Sequence, residues 1–269
     1  MKVFAIAKNT FKEAVRNRIL YLLLIFAILM IGSSRILALL TISAHERVIK
    51  DIGLFGINFF GVLIAILVGI GLVYHEIDKK TIYTIISKPI HRYQFILGKY
   101  FGLLITVYVN LIIMTLFFFF MVLVLGIGFH ISLLYAIIYT ATELAIVTAL
   151  AIVFSSFSNP TMAAIYTLIM FIIGRMNEDI LRFAQYLARE SEKLIQAGQH
   201  VPPFSKFLQG FANVICRVLP NLGLYNIRAE VIHAPDKVMI SWEPLLYAFT
   251  YSAFLLLIAI FIFQKRNFK

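Results

Sequence analysis

The stretch Glu76–Gly102, EIDKKTIYTIISKPIHRYQFILGKYFG, decides how the rest of the chain is read. Two apolar runs flank it, 52–74 and 101–125. Each is long enough to cross a bilayer, which takes about 20 predominantly apolar residues. The stretch carries five cations, Lys79, Lys80, Lys88, Arg92 and Lys99, and an apolar set at helical spacing, Ile82, Ile85, Ile86 and Ile90. Pro89 interrupts that set, because proline lacks the amide that a continuing helix needs. Residues 76–99 therefore read as a short, basic, partly buried helical elbow between two membrane spans.

Composition agrees with a membrane protein. The chain has 269 residues, 61% of them hydrophobic, and a mean hydropathy of +0.92; a soluble domain sits nearer half apolar. The apolar runs are continuous, whereas a barrel strand would alternate over about 10 residues, so the spans are helical. The formal charge of +11 would suggest nucleic acid in a soluble chain. Here the cations cluster beside span ends, where they set orientation and meet anionic lipid. A single cysteine, Cys216, excludes an intramolecular disulfide and a cysteine-based metal cluster. The N-terminal charges are spread out and no small-residue cleavage site follows the first apolar run, so that span is expected to be retained.

Taken in order, residues 1–18 read as an amphipathic helix in the membrane interface. Phe4, Ala7, Phe11, Ala14 and Val15 share one face, and Lys2, Lys8, Lys12, Glu13 and Arg16 lie towards the other. Spans are expected at 19–41, 52–74, 100–125, 133–154, 161–174 and 244–263. Arg35, inside the first, has the reach to snorkel to an interface. HERVIKD at 45–51 reads as a polar turn. Gly53, Gly56, Gly61, Gly69 and Gly71 let neighbouring backbones approach the second span and place it centrally. Asn58 in that span reads as an interhelical hydrogen bond before a substrate ligand, and Asn110 is the polar member of the third span. Glu143, near the middle of the fourth, is the costliest placement in the chain. It can pair with another span, face a substrate path, or be buried in protonated form. Asn58, Asn110 and Glu143 are the candidates for such a path.

The apolar run 161–174 is too short to cross alone. Its helix is expected to continue through RMNEDILRFAQYLARESEKLIQAG, where Met176, Ile180, Phe183, Leu187 and Leu194 form a stripe. After VPP at 201–203, a second stripe, Phe204, Phe207, Phe211, Val214, Ile215 and Val218, ends before Pro220. Residues 219–242 read as irregular. Five cations precede the first span, five lie in the elbow and three in the tail, against Arg47 and Lys50 in the short turns opposite. Both termini and the elbow are thereby expected to be cytoplasmic, and 175–243 extracytoplasmic. The fold class is an all-α polytopic membrane protein, with six transmembrane helices, an N-terminal interfacial helix and an extracytoplasmic helical segment between spans five and six.

A search for chemistry finds no GxxxxGK[ST], no HExxH and no GxSxG. The six histidines, at 45, 75, 91, 130, 200 and 233, have no common ligand spacing. No catalytic and no metal-ligating set is expected, and a chain without an energy source of its own calls for a partner that has one. Glu76, Thr81, Tyr83, Ser87, Pro89 and Arg92 are the elbow residues placed to meet such a partner.

The elbow's combination of Glu76, Thr81, Ser87-Lys88-Pro89-Ile90-His91-Arg92 and Gly98-Lys99 resembles the permease subunit of ABC type-2 exporters. Two positions depart from the family pattern: Lys80 stands where glycine is usual, and His91 where a hydroxyl residue is usual. LPNLGLYNI at 219–227 and the tail FQKRNF resemble the subgroup with a long outer segment before the last span. The resemblance implies a half-transporter in a prokaryotic inner membrane, paired with a second permease copy or a homologous permease. It implies two cytoplasmic ABC ATPase subunits docked on the elbow; ATP and Mg bind there, and no cofactor binds this chain. The substrate is unidentified, and the apolar spans favour a lipid-like or amphiphilic one. A second reading keeps the ATPase but moves no solute, using 175–243 to act on an envelope partner or metalloprotein. A third is a lipid-packed anchor with no ATPase.

Overall fold

The computed structural model describes residues 2–39, 45–78, 91–196 and 203–265. Among them are ten α-helices and no strand: α1 (Lys2–Val15), α2 (Arg18–Leu39), α3 (His45–Asp78), α4 (Arg92–Val124), α5 (Ser132–Phe157), α6 (Pro160–Arg175), α7 (Asn177–Gln196), α8 (Pro203–Val218), α9 (Arg228–His233) and α10 (Trp242–Lys265). Five of them, α2, α3, α4, α5 and α10, are long and apolar enough to cross a membrane, whereas α6 is a shorter apolar helix. Thr81, Tyr83, Ser87 and Pro89 lie outside the described residues. Glu76 lies in the last turn of α3, and its side chain is outside the description.

The chain divides into two compact units, 1–167 with 227–269, and 168–226. In the larger unit α5 is the most buried of the long helices, and it packs against α3, α4 and α10. Its hydroxyls turn inward on their own helix: Thr140, Thr142, Thr148, Ser155 and Ser156 donate to carbonyls three or four residues back. Such bonds leave a helix no exposed polar cost in lipid. Of the five glycines of α3, Gly53, Gly56, Gly61 and Gly69 lie against neighbouring helices, whereas Gly71 faces open space. A Cβ on Gly61 would stand 2.9 Å from Leu144 of α5, one on Gly69 3.5 Å from Ala151, and one on Gly53 would collide with Phe118 of α4. The α4–α5 connection turns at Gly126, whose φ of +65° lies in the left-handed region.

The polar turn expected at 45–51 is instead helix: α3 begins at His45, nearly two turns before its apolar run. HERVIKD contains no glycine or proline to stop it, and Lys50 lies 3.8 Å from Glu46 one turn earlier. The segment 219–242 is also more regular than expected. It holds α9 and two 3-10 turns, Gly223–Tyr225 and Pro235–Lys237. Arg228 at the start of α9 bonds Asp51 of α3 at 2.9 Å and lies over the Phe55 ring. Ser241 donates its amide to the Tyr139 hydroxyl of α5 at 2.9 Å.

In the smaller unit, the helix expected to run unbroken past 174 breaks at Met176. The reason is non-local: the Gly174 carbonyl, which a continuing helix would use, accepts from the Leu222 amide at 2.9 Å. Arg175 reaches Asn226 at 3.0 Å and Asn177 donates to the Cys216 carbonyl at 3.3 Å. The α7–α8 seam is built from small and polar side chains, with Ala184, Ser191 and Ala212 buried and Gln209 donating to Ser191 at 3.2 Å. Phe204, Phe207, Phe211, Val214 and Val218 of α8 are exposed.

Candidate functional site

Of the elbow, the structure describes the exit limb, where α4 begins. His91 precedes the helix in extended conformation, and the Gln94 side chain accepts from its amide at 3.4 Å, half of a capping box. One turn in, three elements meet on the same few residues. The Arg92 Nη1 donates to the carbonyls of Phe263 (3.0 Å) and Gln264 (2.9 Å), in the last turn of α10. A cation at a helix C-terminus meets the negative end of the macrodipole. Beside those carbonyls the Phe95 and Phe263 rings stack at 5.5 Å with 16° between planes. Arg92, expected to face a partner, is thus seated on the chain's own last helix.

On its other side this limb holds α1. A Cβ on Gly98 would stand 2.6 Å from the Ile6 Cβ, and one on Gly102 would stand 2.6 Å from both the Ala7 carbonyl oxygen and the Thr10 Cβ. Only glycine permits so close a crossing of two backbones. Lys99, between them, is 0% exposed. Its Nζ lies 3.6 Å from a Glu13 carboxylate oxygen and 5.9 Å from the Phe95 ring centre. Glu13 keeps 38% exposure, so water screens the pair from one side while the lysine carries the desolvation cost. The face of α1 that packs is therefore Ala7, Thr10 and Ala14, all buried, whereas Phe4 is 72% exposed. Of the expected apolar face, Ala7 and Ala14 pack, Phe11 and Val15 are half-buried, and Phe4 alone is fully turned away. The sequence names Lys99 as an elbow cation and Glu13 on the polar face of α1, but not their pairing or the Phe95 ring beside it. The visible signal was the G-x-x-x-G of 98–102, a small-residue crossing motif.

The polar residues of the spans are placed as follows. The Asn58 amide of α3 donates to a Glu143 carboxyl oxygen of α5 at 2.6 Å, and Glu143 is 0% exposed. The structure thus brings two of the three path candidates together. Asn110 stays on its own helix, donating to the Thr106 carbonyl at 2.8 Å, and its Oδ1 has no hydrogen-bond partner among the described residues. Between α4 and α10, beyond their contact at the elbow, a cavity of about 480 Å³ is walled by Tyr100, Leu104, Tyr108, Phe249 and Ser252 and floored by Thr142 and Ala145 of α5. No cluster of three metal-ligating side chains occurs among the described residues.

Five helices among the described residues are long and apolar enough to cross a membrane. The chain belongs to the ABC-2 family transporter proteins, whose family model matches residues 4–268. Permeases of this family are membrane components without an ATPase of their own; they generally work with ATPase subunits and dimerise. Comparison with curated proteins gave no match.

Proposed function

We propose that this chain is the membrane half of an ATP-driven exporter. Two permeases, either two copies or one copy with a homologue, enclose the path. Two separate subunits bind ATP and Mg and dock on the 76–99 elbow, leaving this chain without a cofactor. Glu76, Thr81, Tyr83, Ser87, Pro89 and Arg92 carry the coupling, Arg92 being seated on α10 as well. The cargo leaves the cytoplasm and is lipid-like or amphiphilic. In this reading α6 completes a sixth crossing, both termini face the cytoplasm of a prokaryotic inner membrane, and 175–243 lies outside it. The observation that carries the reading is the family match over nearly the whole chain, combined with an elbow whose exit limb is tied to two other helices.

The test is a mild-detergent purification from the native membrane with mass-spectrometric identification. The expected result is a soluble ATPase with a phosphate-binding loop, lost when Ser87 and Pro89 are both replaced by glutamate. Recovery of the wild-type chain without any ATPase sinks the reading. A second reading, a driven device acting on an envelope partner, is favoured by one observation. Residues 168–226 pack as a unit of their own, and Phe204, Phe207 and Phe211 stay exposed on it. Deleting 203–218 separates the two: the device loses its partner, whereas an exporter keeps its transport.

A further inference from the structure

We infer that Arg92 is a positioning residue for the last helix, and that α10 follows the elbow as one body with the start of α4. The inference deepens the proposed coupling role of the elbow and rests on it. Three contacts converge within one turn of each helix: the two Arg92–carbonyl bonds at 3.0 and 2.9 Å, and the Phe95–Phe263 stack. Both rings are buried, at 5% and 3% exposure. A charge-assisted cap and a buried aromatic stack fix direction as well as distance. Farther along the same two helices, beyond the Tyr100–Ser252 side-chain contact, a cavity between Tyr108 and Phe249 separates them. A pair of rods pinned at one end and separated by a void at the other transmits displacement as tilt. Motion of the elbow therefore reaches α10 without passing through the buried helices α3 and α5, and it changes the width of the cavity walled by α4 and α10.

Arg92 touches main-chain carbonyls, so its role here does not depend on the side chains at 263 and 264. It depends on a cation with reach, which Arg92→Lys keeps and Arg92→Gln does not. This separates the inference from a purely structural one: loss of folding would not be rescued in one distance and not another.

The test uses the full permease assembled with its ATPase in lipid nanodiscs, with Cys216 replaced by serine. Spin labels are placed at exposed positions, Tyr93 on α4 with Phe261 on α10, and Tyr93 with Phe157 at the end of α5. Distances are measured by pulsed electron resonance without nucleotide and after trapping with ATP, Mg and vanadate. The expected result is a shifted 93–157 distance and an unshifted 93–261 distance. In Arg92→Gln the 93–261 distribution then broadens or shifts on trapping, and Arg92→Lys restores it. A 93–261 distance that shifts in the wild type along with 93–157 overturns the inference and leaves the driven elbow intact. A 93–157 distance that does not respond to trapping removes the driven elbow, and the inference falls with it. An Arg92→Gln protein whose 93–261 distance stays fixed shows that the stack alone suffices and overturns the role given to Arg92.

Discussion

Replacing Gly102 by alanine adds one methyl group, and the geometry says where it goes. It would stand 2.6 Å from the Ala7 carbonyl oxygen and 2.6 Å from the Thr10 Cβ. Ordinary contact begins near 3.4 Å, so α1 has to retreat by about 0.8 Å over this crossing. The obstacle is helix backbone on one side and a β-branched stem on the other, and neither can rotate away. Overpacking of this kind costs about 1–3 kcal/mol, against a gain of about 1 kcal/mol from replacing glycine by alanine inside a helix. The net expectation is a loss of up to about 2 kcal/mol, and the retreat also lengthens the Lys99–Glu13 contact, now 3.6 Å. Gly71→Ala is the matched control, since a Cβ there meets nothing within 4 Å; it should be neutral or gain up to about 1 kcal/mol. Thermal unfolding in detergent, followed by the monodisperse peak on size exclusion, reads the difference. At roughly 2–4 °C per kcal/mol for a chain of this size, Gly102→Ala should melt several degrees below Gly71→Ala. Trypsin should also cut at Lys8 and Lys12 of α1 faster in Gly102→Ala. Equal melting points for the two variants, with α1 equally protected, would refute the close crossing of α1 and α4.

Two further outcomes follow from the buried groups. Asn58→Leu takes a donor from a wholly buried carboxyl and should cost about 1–3 kcal/mol; adding Glu143→Gln should recover part of that, and a double-mutant cycle with zero coupling would show that the 2.6 Å bond does not tie α3 to α5. Burial pushes the Cys216 thiol above its usual range, so less thiolate is present at a given pH. Maleimide labelling at pH 7 should then run slower than for a free cysteine and rise as pH climbs through the elevated pKa; a rate equal to free cysteine contradicts the packed α7–α8 seam.

What the sequence revealed and what it hid divide along a physical line. The apolar runs located α2 to α5 and α10 because a lipid-spanning helix must be apolar along its whole length, whatever its neighbours are. The glycines of α3 were legible for a related reason: a missing side chain marks a close neighbour even when the neighbour is unknown. By contrast, 45–51 looked like a turn because charge was read as exposure of loop. A helix that projects past the apolar layer carries charge without bending. The break at Met176 could not be read locally, since its cause is the Leu222 amide on the Gly174 carbonyl. The elbow shows the same limit most sharply. Its cations were visible, and they were expected to set orientation and to meet anionic lipid or a partner. Arg92 instead bonds main-chain carbonyls 171 and 172 residues away, and a carbonyl has no letter in a sequence. Lys99 was counted among the elbow's cations, yet its side chain is fully buried, enclosed because Gly98 and Gly102 draw α1 over it. The features that would meet a partner are side chains and can be read directly. Those that hold the elbow's exit limb are backbone contacts and absent side chains, so they become visible only once α1, α4 and α10 are placed together.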